Sequence, residues 1–167
     1  ITGILGQDGP YLAKYLLSKD YKVYGMIRRY SSPKFENLDY LGITNDVEYI
    51  EGDLTDDASL INIIKNIRPE EVYNLAAQSF VGSSWDQAKL TTEINAVGTL
   101  NMLSAIKLFS PTTRFYQAST SEMFGLSNTN GYQDENTPFH PRSPYGISKV
   151  YAHWITVNFR ESYGMFA

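Results

Sequence analysis

The 167-residue sequence contains no cysteine, which excludes disulfide bonds and thiolate metal sites. Its two histidines, His140 and His153, do not have the spacing of metal ligands, so we predict no metal site. Charged residues make up only 19% and the net charge is −4, with basic residues scattered apart from Arg28-Arg29. This distribution argues against a nucleic-acid partner. No apolar run approaches the roughly 20 residues that a membrane helix needs, so we expect no membrane partner.

The sequence also lacks an initiator methionine, and only Ile1 and Thr2 precede a glycine-rich turn that should follow a complete strand. We therefore expect a domain that is truncated at both ends, with a C-terminal substrate lobe missing.

Apolar strand-like segments alternate with helical patterns along the chain. This alternation predicts an α/β fold, a Rossmann doubly wound parallel sheet, with residues 1–167 forming one cofactor domain. The first predicted strand ends at Thr2, and the others cover 21–27, 47–50, 72–76 and 114–118. The predicted helices cover 9–19, 34–41, 59–67, 88–109 and 143–163. The polar loop 126–142 is long enough to be functional.

Three glycines, Gly3, Gly6 and Gly9, lie between a strand end and a helix. Glycines at such a place allow a tight turn whose backbone N–H groups approach a pyrophosphate at the helix N-terminus. We therefore predict a nucleotide-binding turn that also includes Gln7 and Asp8. A glycine-rich turn without a ligand is the alternative.

Arg28 and Arg29 follow the second predicted strand, about 20 residues after the glycines, where NAD-binding domains usually carry an acidic residue. Two arginines suit a 2′-phosphate because they supply positive charge and forked donors. We therefore predict NADP as cofactor and include Ser31 in its site. A solvated basic pair is the alternative.

Two further strand ends carry candidate cofactor contacts. After the third strand, Asp53 and Leu54 can meet the adenine, although an aspartate there is also typical of a turn or helix cap. After the fourth strand, small residues let the backbone lie beside a cofactor, or simply fill a buried strand end. The predicted contacts at this strand are Leu75, Ala76, Ala77 and Ser79.

Tyr145 and Lys149 are four residues apart in a predicted helix and so share one helix face. A lysine ammonium beside a tyrosine phenol favours the phenolate, which can take a proton from a sugar hydroxyl. Such pairs are common by chance. Here the pair follows a nucleotide-binding turn, and Thr120 follows the fifth strand as a possible partner.

The segment Ala118-Ser119-Thr120-Ser121-Glu122-Met123-Phe124-Gly125 resembles the corresponding segment of nucleotide-sugar 4,6-dehydratases. In dTDP-glucose 4,6-dehydratases this segment has Asp at the position of Ser121. With Ser at this position, the segment resembles the GDP-mannose 4,6-dehydratase family of extended short-chain dehydrogenases/reductases. Further similarity to that family covers the whole chain, in blocks that include 6–9, 71–76, 114–122, 141–145 and 154–165. Many members carry Tyr where this chain has Leu90, so we assign no cofactor contact there.

The resemblance implies conversion of GDP-mannose to GDP-4-keto-6-deoxymannose and water, with bound NADP that is regenerated. It implies that Tyr145 is the base at the sugar O4, assisted by Lys149 and Thr120, and that Glu122 removes the C5 proton. It also implies a cytoplasmic homo-oligomer, a dimer or tetramer.

Two alternatives remain open at this point. A nucleotide-sugar 4-epimerase or a 4-keto-6-deoxysugar reductase would use the same Tyr-Lys pair but needs no C5 base at Glu122. A non-catalytic NADP-binding module would need only the nucleotide site.

Overall fold

The computed structural model describes residues 1–127 and 131–167, so part of the loop 126–142 lies outside the described residues. It confirms the α/β class. The strands are Tyr24–Ile27 (β1), Glu48–Glu51 (β2), Glu71–Asn74 (β3) and Arg114–Gln117 (β4). The helices are Asp8–Leu17 (α1), Glu36–Leu41 (α2), Asp57–Ile67 (α3), Ala88–Thr92 (α4), Gly98–Phe109 (α5) and Pro144–Tyr163 (α6).

Thr2 joins two pairs of parallel strands into one sheet. β1 pairs with β2 and β3 pairs with β4, while Thr2 bridges in parallel to Met26 of β1 and to Asn74 of β3. The order across the sheet is therefore β2, β1, Thr2, β3, β4. Strands β1 and β2 are added on one side of Thr2, and strands β3 and β4 on the other. Doubly wound sheets bind ligands at this switch point, where the strand order reverses.

Apolar side chains cover both faces of the sheet. One core contains Leu60 and Ile64 of α3 together with residues of α5 and Phe159 of α6. The other packs Ala13 and Leu16 of α1 and residues near α2 against the opposite face. Helices on both faces are what the alternating pattern predicts.

Buried hydrogen bonds connect the carboxyl ends of the central strands. The Thr2 hydroxyl donates to Asn74 Oδ1 at 2.7 Å and accepts from the Ala76 backbone N–H at 3.0 Å. Asn74 Nδ2 donates to Gln117 Oε1 at 2.8 Å, which also accepts from the Thr99 hydroxyl at 3.2 Å. Because each group has a partner at low solvent exposure, these bonds hold the edge of the sheet where a ligand would bind.

Two predicted elements differ from the observed ones by more than a shift of one or two residues at an end. The predicted strand 21–27 begins only at Tyr24, because the Tyr21 N–H bonds back to Leu16 O and extends the end of α1. The predicted helix 88–109 is interrupted by a π-helical turn, Glu93–Val97, between α4 and α5. Such turns are frequent at functional sites.

Helix α6 begins as the sequence predicts. The Ser143 hydroxyl accepts from the Gly146 N–H at 3.0 Å, and Pro144 occupies the first turn. A capped N-terminus fixes where the helix starts and therefore which face carries Tyr145. Among the described residues, the helices are too short or too polar to traverse a bilayer.

Candidate functional site

A cleft of about 770 Å³ lies at the carboxyl ends of the strands, beside the switch point. Its volume falls within the ~300–1,000 Å³ typical of small-molecule and cofactor sites. Every predicted cofactor residue except Arg29 and Ser31 lines it: Gly3, Gly6, Gln7, Asp8, Gly9, Arg28, Asp53, Leu54, Leu75, Ala76, Ala77, Ser79, Tyr145 and Lys149.

The glycine turn forms the floor of the cleft. Gly3 has a φ of +69°, and a Cβ built on it would lie 2.9 Å from the Ala76 backbone nitrogen. The Gly6 N–H donates to Gly3 O at 2.9 Å and closes the turn just before α1 begins at Asp8. The absent side chain at Gly3 lets the turn lie directly against the end of β3, and the N-terminus of α1 points its free N–H groups towards the cleft.

Arg28 and Tyr30 form one wall near the end of β1. Both Nε and Nη2 of Arg28 donate to the Tyr30 hydroxyl, the former at 2.9 Å. Arg28 and Arg29 also line a smaller adjoining cavity with Asp53 and Ser59. The two arginines therefore lie where β1 ends, with Arg29 outside the main cleft, and exposed Ser31 lines neither cavity.

Asp53 lines the cleft and also stabilises a local turn. Its Oδ1 accepts from the Thr55 N–H at 2.9 Å and from the Thr55 hydroxyl at 2.8 Å. The cap of α3 is Asp56, whose side chain accepts from the Ala58 N–H. The turn interpretation of Asp53 therefore holds, while its position in the cleft leaves the adenine contact a prediction.

Tyr145 and Lys149 lie on the inner face of α6 and are 7% and 3% exposed. Lys149 Nζ lies 5.9 Å from the centre of the Tyr145 ring and donates to Ala118 O at 3.0 Å. Burial lowers the pKa of Lys149 to about 8. The cleft thus holds a desolvated cation next to a phenol, the arrangement expected of an activated tyrosine.

Glu122 lies in a short 3₁₀ turn, Ser121–Met123, that follows β4, and Thr120 is the N-cap of that turn. The Thr120 hydroxyl accepts from the Glu122 N–H at 3.2 Å. Neither residue lines the cleft, and Glu122 is exposed. Their backbone nevertheless lies against the start of α6, because a Cβ built on Gly146 would be 2.8 Å from Glu122 O.

Sequence reasoning missed Asn95, which is 2% exposed in the π-helical turn. Its Oδ1 accepts from the Gln78 N–H at 2.8 Å, and its Nδ2 donates to Gln78 O at 3.0 Å and to the Ser148 hydroxyl at 3.1 Å. Asn95 thereby ties the loop after β3 to the helix that carries Lys149. The sequence does not show that a polar residue within a helix is buried and hydrogen-bonded, because its partners are distant along the chain.

Other lining residues were also missed or left unassigned. Ala118 and Ser119 follow β4, and Gln78 belongs to the loop that follows β3, so the rule of carboxyl strand ends could have predicted them. Leu90 and Ile94 form an apolar wall, and Leu90 supplies no hydroxyl. No group of three or more histidine or acidic side chains that could hold a metal occurs within 1–127 and 131–167.

The residues present fit a dinucleotide. The turn at Gly3 brings backbone close to the cleft, the N-terminus of α1 favours a phosphate, and Arg28 supplies positive charge at the end of β1. The fold and this cleft define a Rossmann-type nucleotide-binding domain with the Tyr-Lys pair of short-chain dehydrogenases/reductases.

Comparison with known proteins gives the family. The family model described as "GDP-mannose 4,6 dehydratase" matches residues 1–167, and the chain belongs to that family. It is 49% identical to GDP-mannose 4,6-dehydratase from Vibrio cholerae over 174 residues and 49% identical to GDP-mannose 4,6 dehydratase from Homo sapiens over 176 residues. All of the chain is covered in both cases, against 46% and 47% of the relatives, so it spans about half their length.

A solved structure supports the fold independently. The chain resembles UDP-glucose 4-epimerase from Thermus thermophilus in complex with NAD, with a TM-score of 0.83 and 28% identity. The match covers 98% of this chain and 51% of the epimerase. The architecture is therefore shared with epimerases, whereas the sequence family is that of the dehydratases.

Proposed function

We propose that residues 1–167 are the NADP-binding domain of a GDP-mannose 4,6-dehydratase. The enzyme converts GDP-mannose to GDP-4-keto-6-deoxymannose and water. The observation that carries the proposal is the buried Tyr145–Lys149 pair in the cleft beside the glycine turn. Family membership over the whole chain supports the choice of reaction.

NADP is the proposed cofactor, held by the residues predicted above. When bound, it supplies a hydride acceptor that returns the hydride within the same turnover, so it is not consumed. The glycine turn and the N-terminus of α1 bind the pyrophosphate, and Arg28 and Arg29 bind the 2′-phosphate. Ser31, which lines neither cavity, is the least supported of these contacts.

The protein's side chains hold and move the protons. Tyr145 takes the proton of the sugar O4, while Lys149 stabilises the phenolate and Thr120 hydrogen-bonds near O4. Oxidation at C4 acidifies the C5 hydrogen, which Glu122 removes. Glu122 or a water held by Ser121 then protonates the C6 hydroxyl, which leaves as water, and the hydride returns to C6 as a proton returns to C5. Glu122 is exposed and therefore open to a substrate.

Glu122 distinguishes this reaction from that of an epimerase with the same fold. Both reactions need the Tyr-Lys pair, but only the dehydration needs a base at C5. The carboxylate of Glu122, in the turn capped by Thr120, supports the dehydration. A non-catalytic module would not need that carboxylate.

We also propose a cytoplasmic homo-oligomer. Three exposed side chains, Ile147, Tyr151 and Trp154, follow one another at spacings of four and three along α6. Such spacing is typical of helices that pack against another helix.

The test uses the full-length protein with Glu122→Gln. We expect product formation from GDP-mannose to fall by at least ~10²-fold, because the amide cannot accept the C5 proton. NADP affinity should not change, since Glu122 does not line the cleft. Mass spectrometry follows the loss of water, and exposed Glu161→Gln on α6 is the matched control. Full turnover by Glu122→Gln would refute the assignment of the base.

A further inference from the structure

The first turn of α6 meets the turn that carries Glu122 at an unusually close backbone contact. Gly146 directly follows Tyr145, and a Cβ built on it would lie 2.8 Å from Glu122 O and 3.1 Å from Pro141 Cβ. Real Cβ atoms are essentially never found below 3.0 Å from such an atom. Any side chain at this position would therefore have to push the backbone of Glu122 away from α6.

The Glu122 turn cannot move away freely, because hydrogen bonds tether it to the segment before α6. Met123 is 5% exposed, and its carbonyl accepts from the His140 N–H at 3.1 Å. The Leu126 N–H in turn donates to His140 O at 3.1 Å. The Thr120 hydroxyl also bonds to the Glu122 N–H, so a displaced turn carries Thr120 with it.

The start of α6 is held equally firmly. The Gly146 N–H is bound by the Ser143 hydroxyl, and the Ser148 hydroxyl donates to Tyr145 O at 2.7 Å. Tyr145 and Lys149 are both buried in the helix that starts here. The contact at Gly146 thus joins two rigid pieces, one with the phenol and the other with the carboxylate.

We infer that Gly146 is a positioning residue that sets the distance between Glu122 and Tyr145, and hence the reach of the carboxylate to the substrate C5. This inference rests on the proposed function. A base displaced by about 1 Å can lose about 10²-fold in rate, and a methyl group at Gly146 forces a shift of a few tenths of an ångström, so a loss on the order of tenfold is expected.

The test is Gly146→Ala in the full-length protein, measured with GDP-mannose deuterated at C5 or at C4. We expect kcat to fall on the order of tenfold and the isotope effect at C5 to rise above that of the wild-type protein, because C5 deprotonation becomes limiting. The isotope effect at C4 should not rise, and NADP affinity should stay within about twofold since Gly146 does not line the cleft. Exposed Asn158→Ala, further along α6, controls for the introduced alanine.

Each other outcome has a definite meaning. An unchanged kcat would overturn the inference. A rise of the C4 isotope effect would also overturn it, because it would place the defect at Tyr145, and so would a loss of NADP affinity, because it would place the defect at the cofactor. If the unchanged protein releases no water from GDP-mannose, the proposed function fails instead. If Gly146→Ala does not fold, Ser143→Ala loosens the same helix turn more gently, and a rise confined to the C5 isotope effect is again required.

Discussion

The two ends of the parallel sheet each carry a cleft with a tyrosine, and the two tyrosines have opposite electrostatic partners. At the carboxyl ends, Tyr145 lies beside the Lys149 ammonium. At the amino ends, a cleft of about 640 Å³ is lined by Tyr73, whose hydroxyl donates to Glu71 Oε2 at 2.7 Å. Arg114 forms an ion pair with the same carboxylate.

The amino-end tyrosine is held in its neutral form. Burial, followed by the hydrogen bond to Glu71, raises the pKa of Tyr73 to about 12. A phenol that donates to a carboxylate cannot also accept a proton near neutral pH. The comparison shows that a partly buried tyrosine beside a carboxylate keeps its proton, whereas Tyr145 has a cation as its neighbour.

The largest expected effect separates the two tyrosines directly. Tyr145→Phe should lower kcat for dehydration by about 10²–10⁴-fold, because it removes the group that takes the O4 proton. Tyr73→Phe should leave kcat within about twofold and cost about 1 kcal/mol of stability through its lost hydrogen bond. Steady-state kinetics and urea unfolding of the full-length variants measure both. Comparable losses of kcat would remove the functional distinction between the two ends.

The second prediction concerns the buried ammonium. Because the folded-state pKa of Lys149 is about 8, below its ordinary 10.5, the penalty for burying the charge is fully present below pH 8. Between about pH 8 and 10.5 only the unfolded chain keeps the proton, so the free energy of unfolding should rise, on the order of 3 kcal/mol in total.

Urea unfolding of the cofactor-free protein across this pH range measures that rise. Lys149→Met should abolish the part of this rise that Lys149 contributes, whereas Lys65→Met, at an exposed lysine, should leave the rise unchanged. If the free energy of unfolding depended on pH identically in the wild-type protein and in Lys149→Met, the desolvation argument would be contradicted.

The smallest expected effect tests the close approach at the cofactor turn. Gly3 and Gly42 have nearly equal φ values of +69° and +70°, but only at Gly3 would a Cβ meet other atoms. Alanine should strain both backbones alike, and Gly3→Ala should cost a further ~1–3 kcal/mol from overpacking and weaken NADP binding. Thermal unfolding and NADP titration compare the two variants. If alanine at Gly3 and alanine at Gly42 lowered the stability equally, the backbone conformation at Gly3, and not its contact with Ala76, would be the reason for the glycine.

The short-range features of the protein were predictable from sequence. Ser143-Pro144 at the start of α6, the glycine turn before α1 and the alternation of strands and helices each depend on a few neighbouring residues. The candidate cofactor residues were predictable as well, because they follow the strands of a recognisable fold. The late start of β1 was not, since it depends on a bond from Tyr21 to the end of α1.

Sequence alone determined the fold class, the family and the places along the chain where the candidate site residues occur, because periodicity, caps and motif spacing are local properties. Only the tertiary structure decided that Asn95 links the β3 loop to α6, that Gly146 lies against Glu122, and that Arg114 pairs with the carboxylate beside Tyr73. The partners Asn95 and Ser148, or Gly146 and Glu122, are brought together by long-range packing, and no local pattern records such a contact.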